Sequence, residues 1–249
     1  MQNTPKAPYY LQRRIIGKSR QQIPIQAYFF EPRESHQKSL PTEGFESLPE
    51  IDTLCFGAFH GDEPESATLM FRLIDALVQD PSLLSEKPVV IVPIVNPDGL
   101  LVNTRKNASG VDINRNFKTD NWESSLPEDH YYAGLAPLSE PETHAVVNII
   151  EGCKPKKIIS VHTPYRLVNY DGPNPQTQAW AEDFGNFCNY PVEASIGYPT
   201  PGSFGSWAGL QLGIPVITLE LPEGEPLAIT WEATKNALFD SIGRTMPPS

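Results

Sequence analysis

Pro88-Val89-Val90-Ile91-Val92-Pro93-Ile94-Val95 is a continuous apolar run that stops at the turn signal Asn96-Pro97-Asp98-Gly99. A run this short with no polar alternation predicts a strand buried on both faces, as in the sheet of an α/β protein. Working outward, three further strands show the same habit. The apolar run within 51–59 ends abruptly at His60-Gly61-Asp62-Glu63-Pro64, Lys157-Ile158-Ile159-Ser160-Val161 ends at His162, and Pro215-Val216-Ile217-Thr218-Leu219 ends at Glu220. Helical spacing lies between them. Ala67, Met70, Phe71, Ile74 and Leu77 mark a helix over 65–78. Ser139-Glu140-Pro141-Glu142 opens another, with Ser139 and Glu142 set as a capping box, and helices follow over 175–190 and 228–243. Residues 1–30 read as a leader followed by a strand or hairpin, and the polar segment 31–50 as an exposed loop. The expected fold is α/β: a single domain over residues 1–249 with a central mixed, mostly parallel sheet flanked by helices.

Composition narrows the function. The 19 lysines and arginines against 30 aspartates and glutamates give a formal charge of −11, which argues against binding nucleic-acid phosphates or an acidic membrane surface. No nucleic-acid or membrane partner is expected, and a homodimer is left open. The three cysteines, Cys55, Cys153 and Cys188, have neither disulfide-framework numbers nor CxxC spacing, so a reducing compartment is the natural reading. With no apolar leader run or membrane span, a cytoplasmic location is expected, an export segment removed beforehand being the alternative.

In an open α/β sheet, ligands bind beyond the carboxyl ends of the strands. His60, Glu63, His162 and Glu220 all stand at such ends and could converge on one edge. His60 and Glu63, three apart, can face one point. With His162 they make a two-imidazole, one-carboxylate set that leaves a fourth position of tetrahedral Zn2+ for water. Taken alone, HxxE is equally a surface turn at a helix start. A carboxylate at the end of a buried strand is costly unless paired or functional. Glu220 is either a salt-bridged strand end or a general base serving the bound water. The irregular stretch 103–135 is long enough to be functional, and its Arg105 and Arg115 suit anionic targets, a substrate carboxylate or an oxyanion. Asp112 is placed to orient an arginine or a ligand histidine. Asp171, nine residues after His162, is a candidate partner for a substrate amine. His36, His130 and His144 carry no strand-end context and are not assigned as ligands.

Together the segments 60–65, 96–99, 104–105, 110–117, 160–162 and 218–220 resemble the M14 zinc carboxypeptidase family, in that family's order. The resemblance implies one zinc ion held by His60, Glu63 and His162, Glu220 as general base, and Arg105 polarising the scissile carbonyl. It also implies Asn114 and Arg115 on a terminal carboxylate, and a closing tyrosine for which Tyr198 is the candidate. The stretches 132–142 and 198–209 resemble the murein peptide amidase subgroup, which implies hydrolysis of the γ-D-glutamyl–meso-diaminopimelate bond of a muropeptide. Three alternatives accompany that reading: a carboxypeptidase on ordinary L-peptides, an N-acyl amino acid deacylase of the aspartoacylase kind, and a zinc-dependent peptide-binding module without turnover. The deacylases usually carry an additional C-terminal β domain, for which residues 221–249 leave little length.

Overall fold

A computed structural model describes residues 9–32, 48–172 and 175–246. Most of the polar segment 31–50, including His36, lies outside the described residues. The expected N-terminal hairpin is present: β1 (Tyr9–Lys18) pairs antiparallel with β2 (Pro24–Pro32). There follow β3 (Thr53–Phe56), α1 (Pro64–Gln79), β4 (Val89–Val92), α2 (Pro97–Val102), α3 (Pro141–Cys153), β5 (Lys157–His162) and β6 (Tyr165–Asp171). The chain continues with α4 (Gln176–Cys188), β7 (Val192–Glu193), β8 (Val216–Pro222) and α5 (Leu227–Gly243). One eight-stranded sheet has the order β1-β2-β4-β3-β5-β8-β6-β7. Its central run β4-β3-β5-β8 is parallel, and β2 and β6 join it antiparallel.

The apolar runs are strands because both faces of the sheet are covered. Along β4, Val89 and Ile91 enter one core with Leu73 and Leu77 of α1, Trp180 of α4 and Leu238 of α5. Val90 and Val92 enter the other, with Val146 and Ile150 of α3. The period of two along a strand thus divides one apolar run between two layers. Each such side chain contributes about 1.5–3 kcal/mol when fully buried. On α1, Leu69, Met70, Leu73, Ile74 and Leu77 form the buried face. Phe71 sits at its flank, 40% exposed, edge-on to Tyr28.

Two local expectations are corrected, and one strand is added. Asn96-Pro97 opens a helix rather than a simple turn: the Asn96 side chain accepts from Gly99 N at 2.9 Å, and proline takes the first helical position, where no N–H is needed. Ser139 does not cap α3. Its hydroxyl donates to Glu140, and Glu142 instead accepts from Asn107 and from the Arg20 backbone, so tertiary partners displace the capping box. The segment after His162 forms strand β6, which its mixed polarity does not announce.

Candidate metal centre and active-site cleft

β3 ends in a tight turn with Ala58 at φ 44°. The turn delivers His60 and then Glu63, the residue just before α1. Glu63 makes no side-chain cap to its helix, so its carboxylate is free for other partners; Ser66 holds the turn, donating to Glu63 O and accepting from Ala58 N. His162 ends β5 and lies in register with Glu220 on the parallel neighbour β8. Paired residues on adjacent strands present their side chains to one face, so the strand ends themselves set these two groups side by side.

The three expected ligands meet. His60 Nδ1 is 2.6 Å from one Glu63 oxygen and His162 Nδ1 is 3.0 Å from the other, all three residues being buried. One donor atom from each lies within 4.8 Å of the others. The outer nitrogens are held as well, His60 Nε2 by Asp112 at 3.1 Å and His162 Nε2 by Ser160 at 3.0 Å. Two inward imidazole nitrogens, an inward carboxylate and outward hydrogen bonds that fix the rings are the donor set of a tetrahedral zinc site. The residues present therefore fit the ion. The charges agree. Burial opposes a charge on His60, yet Glu63 and Asp112 outweigh it and lift its pKa to about 9. Burial likewise favours a neutral Glu63, but the two imidazoles hold its carboxyl well below the usual range. The cluster holds concentrated negative charge that a cation can replace protons in satisfying.

Glu220 stands beside this set, its carboxyl pKa raised chiefly by burial, with His162 opposing and Glu63 reinforcing the shift. Its Oε2 is buried with no hydrogen-bond partner among the described residues. Such an atom costs free energy in the resting protein and is free to take a proton. Arg105 Nε donates to Asp112 Oδ2 at 2.8 Å while its Nη1 lies 3.8 Å from Glu63. Asp112 therefore holds both Arg105 and His60.

His60, Glu63, His162, Glu220 and Arg105 line one cleft of about 520 Å³ together with Asn114, Arg115, Tyr198 and Asp171. Arg115 is buried, its Nη1 donating to Asn114 O at 2.7 Å, and Asn114 Oδ1 accepts from Phe204 N at 2.8 Å. That last bond ties the loop bearing Tyr198 to the loop bearing both arginines. The Tyr198 phenol pKa is raised by burial and by its hydrogen bond to Tyr165. Asp171 ends β6 beneath the π-helical turn Ser206–Gln211. Gly205 and Gly209 make that approach: a Cβ on Gly205 would stand 2.2 Å from Asp171 Oδ2, and one on Gly209 2.4 Å from its Cβ. Burial lifts the Asp171 carboxyl to about 6, and no cationic partner offsets it among the described residues.

The cleft lining also includes residues to which the sequence reading gave no role, among them His130, Tyr131, Tyr165 and Asn169. Only Tyr165 carried a usable signal, its closeness to His162 in the chain. His144 lies exposed on α3, away from the cleft lining. Cys55, Cys153 and Cys188 are buried and unbridged.

Residues 6–236 match the family model described as zinc carboxypeptidase. Murein peptide amidase A of Escherichia coli K12 is 34% identical over 197 residues, covering 75% of this chain and 76% of that protein. The protein of the same name from Vibrio campbellii is 32% identical, covering 68% of each. The crystal structure of a murein-tripeptide amidase from Escherichia coli O157 superposes with a TM-score of 0.69 at 26% identity, covering 98% of both chains.

Proposed function

The chain belongs to the zinc carboxypeptidase family and is a metallopeptidase-type hydrolase, and we propose that it cleaves the γ-D-glutamyl–meso-diaminopimelate bond of murein peptides, next to a free terminal carboxylate. One observation carries the reading: a single cleft holds the His60–Glu63–His162 set, the unpartnered Oε2 of Glu220, a buried guanidinium and a partly buried carboxylate, that of Asp171, with no cation to offset it among the described residues. The resemblance to murein peptide amidases supports the same substrate.

His60, Glu63 and His162 would hold a zinc ion, which when bound would supply Lewis acidity to the scissile carbonyl and to a water molecule. Glu220 takes the proton from the attacking water and passes it to the departing amide nitrogen. Arg105, steadied by Asp112, faces the oxygen on which negative charge develops. Arg115 and Asn114 receive the terminal carboxylate of the leaving residue, with Arg115 able to bind it bidentately. Tyr198 closes over the leaving residue. Asp171 meets an ammonium on that residue's side chain, which diaminopimelate possesses and most protein residues lack. The local cations reconcile an acidic protein with an acidic peptide. No helix among the described residues is long and apolar enough to cross a membrane; we place the enzyme in the cytoplasm, acting on peptides released from the wall.

The test is a product profile. The zinc-loaded protein is offered L-Ala-γ-D-Glu-meso-diaminopimelate beside hippuryl-type L-peptides. Free diaminopimelate is the expected product; hydrolysis confined to the L-peptides would replace this reading with that of an ordinary carboxypeptidase.

A further inference from the structure

We propose that Tyr131 is a positioning residue whose ring holds Arg105 and Arg115 in place, so that each addresses a different part of one substrate. The two guanidinium carbons lie 5.1 and 4.8 Å from the centroid of this one ring. Two like charges sharing a cleft repel each other, and an aromatic face within about 6 Å of each attracts both. Each arginine also has attachments of its own, Arg105 Nη1 lying 3.8 Å from Glu63. Arg105 Nε is bound by Asp112, and Arg115 Nη1 by Asn114 O. Neither of these hydrogen bonds sets the distance between the guanidiniums.

The ring is itself held on further sides. It stacks on Tyr198, with centroids 5.9 Å apart and planes at 23°, and His130 meets it edge-on at 4.6 Å. Its backbone neighbourhood is bolted to the arginine turn, Asp112 N donating to Tyr132 O at 2.8 Å. Yet Tyr131 is 39% exposed and belongs to neither apolar core. A half-exposed aromatic that contacts two cations and the closing tyrosine does little for the stability of the sheet and much for the arrangement of the cleft. Arg105 thereby stays directed at the metal donors, and Arg115 at the carboxylate position. This inference rests on the functional reading for the division of labour between the two arginines. The ring geometry stands without it.

Tyr131→Leu and Tyr131→Phe decide the matter. Phe keeps the ring and Leu removes it. Two readouts are taken beside the melting temperature: kinetics on the tripeptide and on its carboxyl-terminal amide, and the rate at which phenylglyoxal modifies Arg105 and Arg115, followed by peptide mass. In the Leu variant we expect KM for the free acid to rise about tenfold, from the lost cation–π attraction, with a smaller fall in kcat. Preference for acid over amide should shrink, and both arginines should be modified several-fold faster, at an unchanged melting temperature. The Phe variant should restore native values throughout. Native modification rates and native acid preference in the Leu variant would overturn the proposal. So would equal losses on acid and amide accompanied by a lower melting temperature, or a Phe variant as impaired as Leu. If the native protein leaves the tripeptide intact, the functional reading fails, and the modification rates still decide the role of Tyr131.

Discussion

Asp171→Asn tests the link between a partly buried carboxylate and substrate choice. The carboxyl shifts from 3.8 to about 6 through burial, about two units at 1.36 kcal/mol each, or roughly 3 kcal/mol. Water in the cleft reduces the figure toward about 1–2 kcal/mol. A carboxyl whose folded pKa is raised favours its neutral form, so it does not burden the fold below pH 3.8. The burden grows as pH rises toward 6 and is complete above it. The Asn variant should therefore melt higher than the native protein at pH 8, by about 2–8 °C for a chain of this size, and the two curves should converge toward pH 4. Activity should move the other way. An ammonium in the substrate compensates the carboxylate, so the variant should lose about 10²-fold of the kcat/KM ratio between a tripeptide ending in diaminopimelate and one ending in an aliphatic residue. Native selectivity for the diamino acid should also strengthen as pH rises through about 6. The assays are thermal melts across pH and paired kinetics. A stability gap independent of pH, or an unchanged selectivity ratio, would refute the reasoning.

Glu220→Gln should retain stoichiometric zinc by elemental analysis and lose turnover by about 10²–10⁴-fold; turnover within tenfold of native would remove Glu220 from proton transfer. Adding zinc to the metal-stripped native protein at 100 times its dissociation constant should stabilise it by about 2.7 kcal/mol. The same addition to His162→Ala, which lacks one of the three donors, should give a much smaller shift, and an equal shift would place the ion elsewhere. Gly205→Ala puts a methyl 2.2 Å from Asp171 Oδ2; kcat/KM on the tripeptide should drop more than tenfold while aliphatic-terminated peptides suffer less, and equal losses on both would deny that clearance a role in selection.

The sheet and the donor set were legible because both lie in short-range pattern. An apolar run followed by a polar residue marks a buried strand, and Asn96, His60, His162 and Glu220 each follow such a run, His162 closing β5, Glu220 lying two residues before the end of β8, and His60 and Asn96 standing in the turns after β3 and β4. Strand β6 was not legible: its tyrosine-rich, arginine-bearing stretch is half exposed and lacks clean alternation. Nor was the cleft lining. Tyr131 and Tyr198 come together because distant loops are fastened by bonds such as Phe117 N to Gly202 O and Phe204 N to Asn114 Oδ1, and no periodicity encodes those. The Ser139 capping box failed for a related reason, since Asn116 and Glu140 were better partners for its hydroxyl than the helix backbone.

His162 and Glu220 face each other across one parallel ladder, whereas Tyr131 and Tyr198 arrive on irregular backbone. The ladder thus fixes one wall of the cleft, while the loops, which also carry His60, Glu63 and Arg105, shape the rest, so a loop substitution can reshape the cleft and leave the ladder pair where it is.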